Sequence, residues 1–428
     1  MRRRSTGVWL CGACALSITL ALASEGRGDP PAQAPAEPVS ARPQRARQRR
    51  EARQRQHPRA EDEDGRWHDP VSERGQHARG LYLGASFVRH NGVDAVIQTV
   101  RGAHMNAVVL DLKDAEGRIH HETSIPELIP HRTGWLGDTR ALVAALHEAG
   151  IYAIARITCF ADRALPADVP HRAIQHARNR SRLWVSWGTG GTWLDPYNAD
   201  NHRLVVELAR EAQALGFDEV QLDYVRFPVD DGTVYAHYPS QTDEPRPAVL
   251  MRLLRAVDEA ITIPLGVDVF GLTAYRRGDP SGLGQDLEQW TRHVEVFTPM
   301  LYVNSMRNWR VGEENRAFNL VYSGLHRLRE RIGPRPVIRP FLQAFSRGAD
   351  QFDPAFIRDQ VRAARRARAD GFLFWHPGHT YSMVRRAMQS GATRHLVPFP
   401  IPERVREARA APPGPAVRST AAETVRVR

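Results

Sequence analysis

Gly216-Phe217-Asp218-Glu219-Val220-Gln221-Leu222-Asp223-Tyr224-Val225-Arg226-Phe227-Pro228 is the stretch that decides the fold. It opens on a helix stop, Leu215-Gly216, and its centre, Glu219–Val225, is a short β-rich run. A run of this kind between helical patterns belongs to a parallel sheet covered by helices. Strand side chains alternate, so Gln221, Asp223 and Val225 are expected on one face and Val220, Leu222 and Tyr224 on the other. The apolar set should meet the helices, which directs Asp223 into the interior of the fold.

Seven further runs of the same texture surround this one: Leu81–Ser86, Ala107–Leu112, Tyr152–Thr158, Pro264–Phe270, Val296–Tyr302, Val337–Gln343 and Gly371–Trp375. Helical patterns fill the gaps at Val93–Arg101, Thr139–Ala149, Asn201–Leu215, Ala248–Ile261, Leu283–His293, Arg316–Arg331, Pro354–Ala369 and Tyr381–Met388. Eight strand–helix units favour closure into an α/β (β/α)8 TIM barrel, spanning 79–401, over an open doubly wound sheet. No glycine-rich phosphate loop follows the first run, and Gly188-Thr189-Gly190-Gly191 follows Trp187 rather than a strand, so a dinucleotide domain is not expected.

The flanks differ in composition. Residues 1–23 read as a signal peptide: Arg2, Arg3 and Arg4, an uncharged run from Val8 to Leu22, and an Ala21-Leu22-Ala23 cleavage site. Export to the periplasm or outside the cell is the first reading and an uncleaved membrane anchor the second, with no stable transmembrane span expected after cleavage. Residues 24–78 read as a disordered basic and Pro-rich linker, and 402–428 as a disordered tail. The chain carries a net charge of +11, and residues 41–60 hold eight arginines against the single acid Glu51. This arm suits an anionic polymer, but it lacks Phe, Tyr and Trp for base stacking, so no specific nucleic acid is expected. Cys11 and Cys14 fall in the signal segment, leaving Cys159 without a partner for an intramolecular disulfide.

Active sites of such barrels form at the carboxyl ends of the strands. Asp223 on the fourth run and Asp268 on the fifth are both expected inward on adjacent strands, a pair suited to acid/base or nucleophilic chemistry at a glycosidic bond. The other reading is that either acid is neutralised by a buried arginine: Arg226, Arg156 or Arg339. Asp111 and Lys113 share a face of the second run and are expected to form an internal ion pair or to bind sugar hydroxyls. Arg156 could hold Asp111 or Asp223 ionised. Trp193, Asp195, Tyr302 and Trp375 lie in loops or at strand ends, where they line a sugar cleft or cap the mouth as a local core. No HExxH-type spacing or nucleophile elbow occurs, so neither a metal nor another cofactor is expected.

Asn106–Asp114, Trp193-Leu194-Asp195-Pro196-Tyr197, Gly216–Pro228 and Thr298-Pro299-Met300-Leu301-Tyr302, in this order, resemble the DUF4015 family of glycoside hydrolase-like barrel domains. The resemblance covers roughly residues 79–400. It implies a barrel glycosidase in which Asp223, Arg226 and Asp268 match the family's fourth- and fifth-strand residues. The expected function is hydrolysis of a polysaccharide by carboxylate acid/base catalysis with Asp223 and Asp268, tuned by Arg226 and Arg156. The alternative is a non-catalytic glycan-binding barrel of the cell envelope.

Overall fold

A computed structural model of the chain describes residues 71–389, apart from 231, 280 and 313. The expected signal peptide 1–23, the arm 41–60, the linker as far as residue 70, the stretch 390–401 and the tail 402–428 lie outside the described residues.

The strands, in chain order, are β1 (Arg79–Leu83), β2 (Ala107–Lys113), β3 (Tyr152–Thr158), β4 (Gln175–His176), β5 (Asn179–Leu183), β6 (Glu219–Asp223), β7 (Ala236–His237), β8 (Leu265–Phe270), β9 (Val296–Met300), β10 (Val337–Ile338), β11 (Phe341–Gln343) and β12 (Phe372–Trp375). Strands β1, β2, β3, β6, β8 and β9, the broken stave β10–β11, and β12 run parallel in a closed ring, with β12 returning to β1. The eight runs read from the sequence are these eight staves, so the chain is a (β/α)8 barrel. Strands β4, β5 and β7 form a separate antiparallel sheet, with β4 in the middle. It is assembled from the connections that follow β3 and β6, and its polar β5, Asn-Arg-Ser-Arg-Leu, has none of the apolar texture that marks a buried strand.

Parity governs the packing. Leu81, Leu83, Val108, Leu110, Val220, Leu222, Val267 and Val269 join the cluster that includes Leu142, Leu146, Leu204, Leu208, Leu250 and Leu253 from the surrounding helices. The alternate positions Ala107, Val109, Tyr152, Ile154, Phe341 and Leu373 form a second cluster inside the barrel. Each fully buried Leu, Val or Phe stabilises by roughly 1.5–3 kcal/mol. At the amino-terminal end of the strands, the fully buried Arg339 and Glu219 are ion-paired, and Tyr152 Oη donates to Glu219 at 3.2 Å.

Two glycines are required by geometry. Gly216 ends the helix Ala199–Leu215 at φ 98°, in the left-handed region, and so delivers the chain into β6. A Cβ at Gly371 would lie 2.0 Å from the Ala78 carbonyl oxygen, so β12 can start beside β1 only with glycine there.

Three expectations on boundaries change. Residues 71–78, read as the end of the linker, are ordered. Ser72 caps the short helix Glu73–Gln76, Val71 packs on Val296 and Val337, and the Gly75 carbonyl accepts from Arg339 Nη1 at 2.9 Å. Their few apolar residues find cover only against the barrel, which composition does not reveal. The first run ends at Leu83 rather than Ser86, because Ala85 begins the helix Ala85–Gly102. The fourth run ends at Asp223, where Tyr224 turns the chain at φ 52°. Val225 therefore leaves the face shared by Gln221 and Asp223 and packs in the strand–helix layer.

Candidate active site

Arg156, on β3, is the hub at the carboxyl end of the barrel. Register places it beside Asp111 of β2 and Gln221 of β6, and Thr158 beside Asp223. Its Nη1 donates to Asp111 at 2.5 Å, and its Nε and Nη2 donate to one oxygen of Asp223 at 3.1 and 2.5 Å. Asp223 accepts a further bond from the Tyr224 N–H, at 2.6 Å. Asp111 is held on its other oxygen by Tyr82 Oη, at 2.6 Å.

Asp268 of β8 completes the group from the next strand. Gln221 Nε2 donates to its Oδ1 at 2.7 Å, and Gln221 also donates to Thr298 Oγ1 of β9 at 3.1 Å. The other oxygen, Oδ2, lies 3.9 Å from Arg156 Nε and has no hydrogen-bond partner among the described residues. Burial pushes the Asp268 carboxyl well above the usual carboxylate range, and the charge of Asp223 pushes it further. Burial works against the Arg156 charge, but Asp111 and then Asp223 outweigh it and raise the guanidinium well above its ordinary value. Burial also raises the Tyr82 phenol, reinforced by Asp111, so it stays a hydrogen-bond donor.

Aromatic rings edge this charged centre. Trp375 lies 6.4 Å from Tyr82 in a stacked arrangement and 5.8 Å from Tyr302, with Phe345 edge-on at 5.5 Å. Tyr82, Tyr302 and Trp375 are half-buried. His379 sits 5.5 Å from the Tyr82 ring, and burial lowers its imidazole pKa against the pull of Asp111. His376 accepts from the Gly378 and Thr380 N–H groups on Nδ1, which leaves Nε2 as the protonated nitrogen of the neutral ring.

The structure thus brings together Asp111, Arg156, Asp223 and Asp268, with Tyr302 and Trp375 at the rim. Four expected residues stand elsewhere. The register of β2 shifts between Asp111 and Lys113, leaving Lys113 opposite Ile157. Lys113 pairs with Asp162 at 2.8 Å and donates to the Thr158 carbonyl at 3.0 Å, so the expected Asp111–Lys113 pair is replaced by Asp111–Arg156. Trp193 is fully buried, packed edge-to-face on Tyr224 at 5.7 Å, and lines no open cleft. Asp195 is buried as a loop brace that accepts from the Tyr197 and Ser240 N–H groups. The Arg226 guanidinium lies 4.9 Å from Trp193, 5.3 Å from Tyr224 and 5.7 Å from Phe270, and has no carboxylate partner among the described residues. It therefore braces the rim and does not tune Asp223 or Asp268.

Tyr82, Gln221 and His379 also belong to the group, beyond the residues expected from the sequence. Parity along Leu81-Tyr82-Leu83 carries the signal for Tyr82, since both leucines face the helices. His379 shows no sequence signal, because it arrives on a loop after β12. Among the described residues, no group of three His, Cys, Asp or Glu side chains is placed to hold a metal ion.

Residues 80–381 match the model of the DUF4015 family, described as "Putative glycosyl hydrolase domain". No curated protein matches the chain. Among solved structures, the chain is similar to the PgaB (BpsB) glycoside hydrolase domain from Bordetella bronchiseptica. The two are 14% identical, with 73% of this chain and 98% of that one covered and a TM-score of 0.52. This is a likeness of fold. A hypothetical protein from Ruminiclostridium thermocellum ATCC 27405 is 28% identical over 44% of this chain and 97% of its own, at a TM-score of 0.39. The alpha-L-fucosidase isoenzyme 2 from Paenibacillus thiaminolyticus is 14% identical, with 75% of this chain and 50% of that one covered and a TM-score of 0.49. The family match runs from β1 to the turn beyond β12 and so takes in every stave of the barrel: the chain belongs to the DUF4015 family of glycosyl hydrolase domains.

Proposed function

We propose that the barrel hydrolyses a glycosidic bond of a polysaccharide, with Asp223 and Asp268 as the working carboxyl pair. The observation that carries this reading is the asymmetry between two acids on adjacent strands. Asp223, ion-paired with Arg156, brings the negative charge that a developing oxocarbenium ion or an attacked anomeric carbon requires. Asp268, buried and raised, keeps the proton that a leaving oxygen takes up. Arg156 positions Asp223 and is itself fixed from the far side by Asp111 and Tyr82. The rings of Tyr82, Tyr302 and Trp375 offer stacking faces to a sugar. The N-terminal sequence of residues 1–23, read as an export signal, supports a substrate outside the cytoplasm. Asp223→Asn in the full chain, assayed for released reducing ends on a panel of bacterial and plant polysaccharides, is expected to abolish hydrolysis with an unchanged thermal midpoint. Full activity in that variant overturns the assignment.

One observation favours the non-catalytic glycan-binding reading. The Asp268 side chain has no exposure, and Asp111 and Asp223 are both tied to one arginine. On that reading the wild-type chain binds an oligosaccharide, releases no reducing ends from any glycan, and loses no affinity on Asp223→Asn.

A further inference from the structure

We propose that the small sheet β4–β5–β7 is a binding site for an acidic polysaccharide, so that the glycan processed at the barrel mouth carries regularly spaced anionic groups. The inference deepens the hydrolase reading and rests on it for the ligand being a glycan. Four surface arginines of the barrel have acidic partners: Arg118 with Asp114, Arg132 with Glu122, Arg163 with Glu116, and Arg203 with Glu207. What marks the hairpin is three arginines at every second position of one short polar segment, with no acid among them. Arg178, Arg180 and Arg182 are all exposed, and no acidic residue occurs between Gln175 and Leu183 or in Ala236–His237. None of the three guanidinium groups has a carboxylate partner among the described residues. His176 and His237 lie on the same sheet, and burial and the charge of Arg180 lower the His237 imidazole pKa, so the arginines carry the positive charge of this surface.

The surface is built, not frayed. Arg178 lies 4.9 Å over the Tyr235 ring, and Tyr235 stacks on His176 at 5.6 Å and 6°. Arg180 and Arg182 alternate with Ser181 and so share a face, about 7 Å apart along an extended strand. A row of cations at that spacing suits a repeating anion, and guanidinium groups clasp carboxylates bidentately. Trp187, on the segment after β5, is 59% exposed and offers an indole face.

Position ties the sheet to the mouth. Its strands come from the connections after β3 and after β6, the strand that ends in Asp223. Tyr224 packs on Trp193, whose carbonyl accepts from the Ile174 N–H at 2.9 Å, one residue before β4. An extended glycan held on the hairpin therefore lies on the side of the barrel where Asp223 opens.

The test compares Arg178→Gln/Arg180→Gln/Arg182→Gln with the parent chain. Both carry glutamine at the eight arginines between residues 41 and 60, so that the arm does not mask the hairpin. Binding is read on immobilised polygalacturonate, heparin and neutral dextran at low and at physiological ionic strength. The parent should bind polygalacturonate or heparin in a salt-sensitive way, and the triple glutamine variant should bind about ten-fold more weakly at low salt. The two anionic polymers separate carboxylate from sulfate as the group recognised. The corresponding triple lysine variant, which keeps the charge and loses the bidentate fork, should bind more tightly than the glutamine variant and more weakly than the parent. Arg180→Gln and Arg182→Gln alone, each weakening binding about two-fold, carry the comparison if the triple variant melts early. Equal binding by the glutamine variants, dextran bound as tightly as the acidic glycans, or tighter binding of single-stranded DNA or phosphatidylglycerol vesicles would each overturn the proposal. The two readings fail separately. Arginine-dependent glycan binding without reducing-end release from any glycan sinks the hydrolase reading alone. Release from neutral glycans without affinity for acidic ones sinks the hairpin site alone.

Discussion

Replacing Arg156 by methionine removes the cation that Asp111 and Asp223 share. The side chains of Arg156, Asp111 and Asp223 are 12%, 4% and 9% exposed, so this is a buried ion network and not a surface pair. Breaking a buried pair from one side costs about 3–5 kcal/mol, because a charge remains uncompensated. Tyr82 still donates to Asp111, and the Tyr224 N–H to Asp223, which places the expected loss near the lower end, about 3 kcal/mol. Methionine is flexible enough to fill the space of the guanidinium stem, which limits any cavity contribution. A domain of this size loses roughly 2–4 °C of thermal midpoint per kcal/mol, so the expected drop is about 6–12 °C at neutral pH. Thermal melts followed by circular dichroism at neutral pH test this. A drop under about 2 °C would refute the placement of Arg156 as the shared counter-charge.

Further outcomes follow from the same geometry. Because the Asp268 pKa is raised on folding, its proton stabilises the fold below the unfolded value near 3.9, and that contribution is lost as pH climbs through the raised folded value. Asp268→Asn should therefore decline less than wild type toward alkaline pH, and parallel stability curves would contradict this. Trp193→Ala should cost about 3–5 kcal/mol in urea unfolding, as a fully buried ring does. Trp375→Ala should cost less and instead weaken glycan binding in affinity electrophoresis. Tyr82→Phe should lose about 1.5–3 kcal/mol, the worth of a hydrogen bond to a charged group, with stacking on a bound sugar retained. Gly371→Ala should lower the yield of folded protein, since its Cβ would meet the Ala78 carbonyl at 2.0 Å.

The barrel was legible in the sequence because its signal is local. Apolar runs at eight places, helical patterns between them, and a helix-stop glycine before β6 each reflect the conformational and burial preferences of neighbouring residues. Parity along Val220-Gln221-Leu222-Asp223 and Val267-Asp268-Val269 likewise needs only the alternation of a strand. It directs both acids inward, and the arginine bridge between Asp223 and Arg156 is one of the pairings the sequence offers. What the residues alone determined is therefore the staves, their order and the inward carboxylates. Tertiary structure decided the partners. A register shift in β2 took Lys113 away from Asp111 and gave that carboxylate to Arg156. The positive φ at Tyr224 ended β6 and set Arg226 among rings rather than acids. Burial decided for Trp193 and Asp195 between lining a cleft and capping the mouth, making both braces, and Tyr82 on β1 and His379 on the loop after β12 meet only when the ring closes. The polar hairpin joined strands from two separate connections. Each of these depends on where distant segments meet and on the desolvation that follows, and neither is encoded in the spacing of residues along one strand.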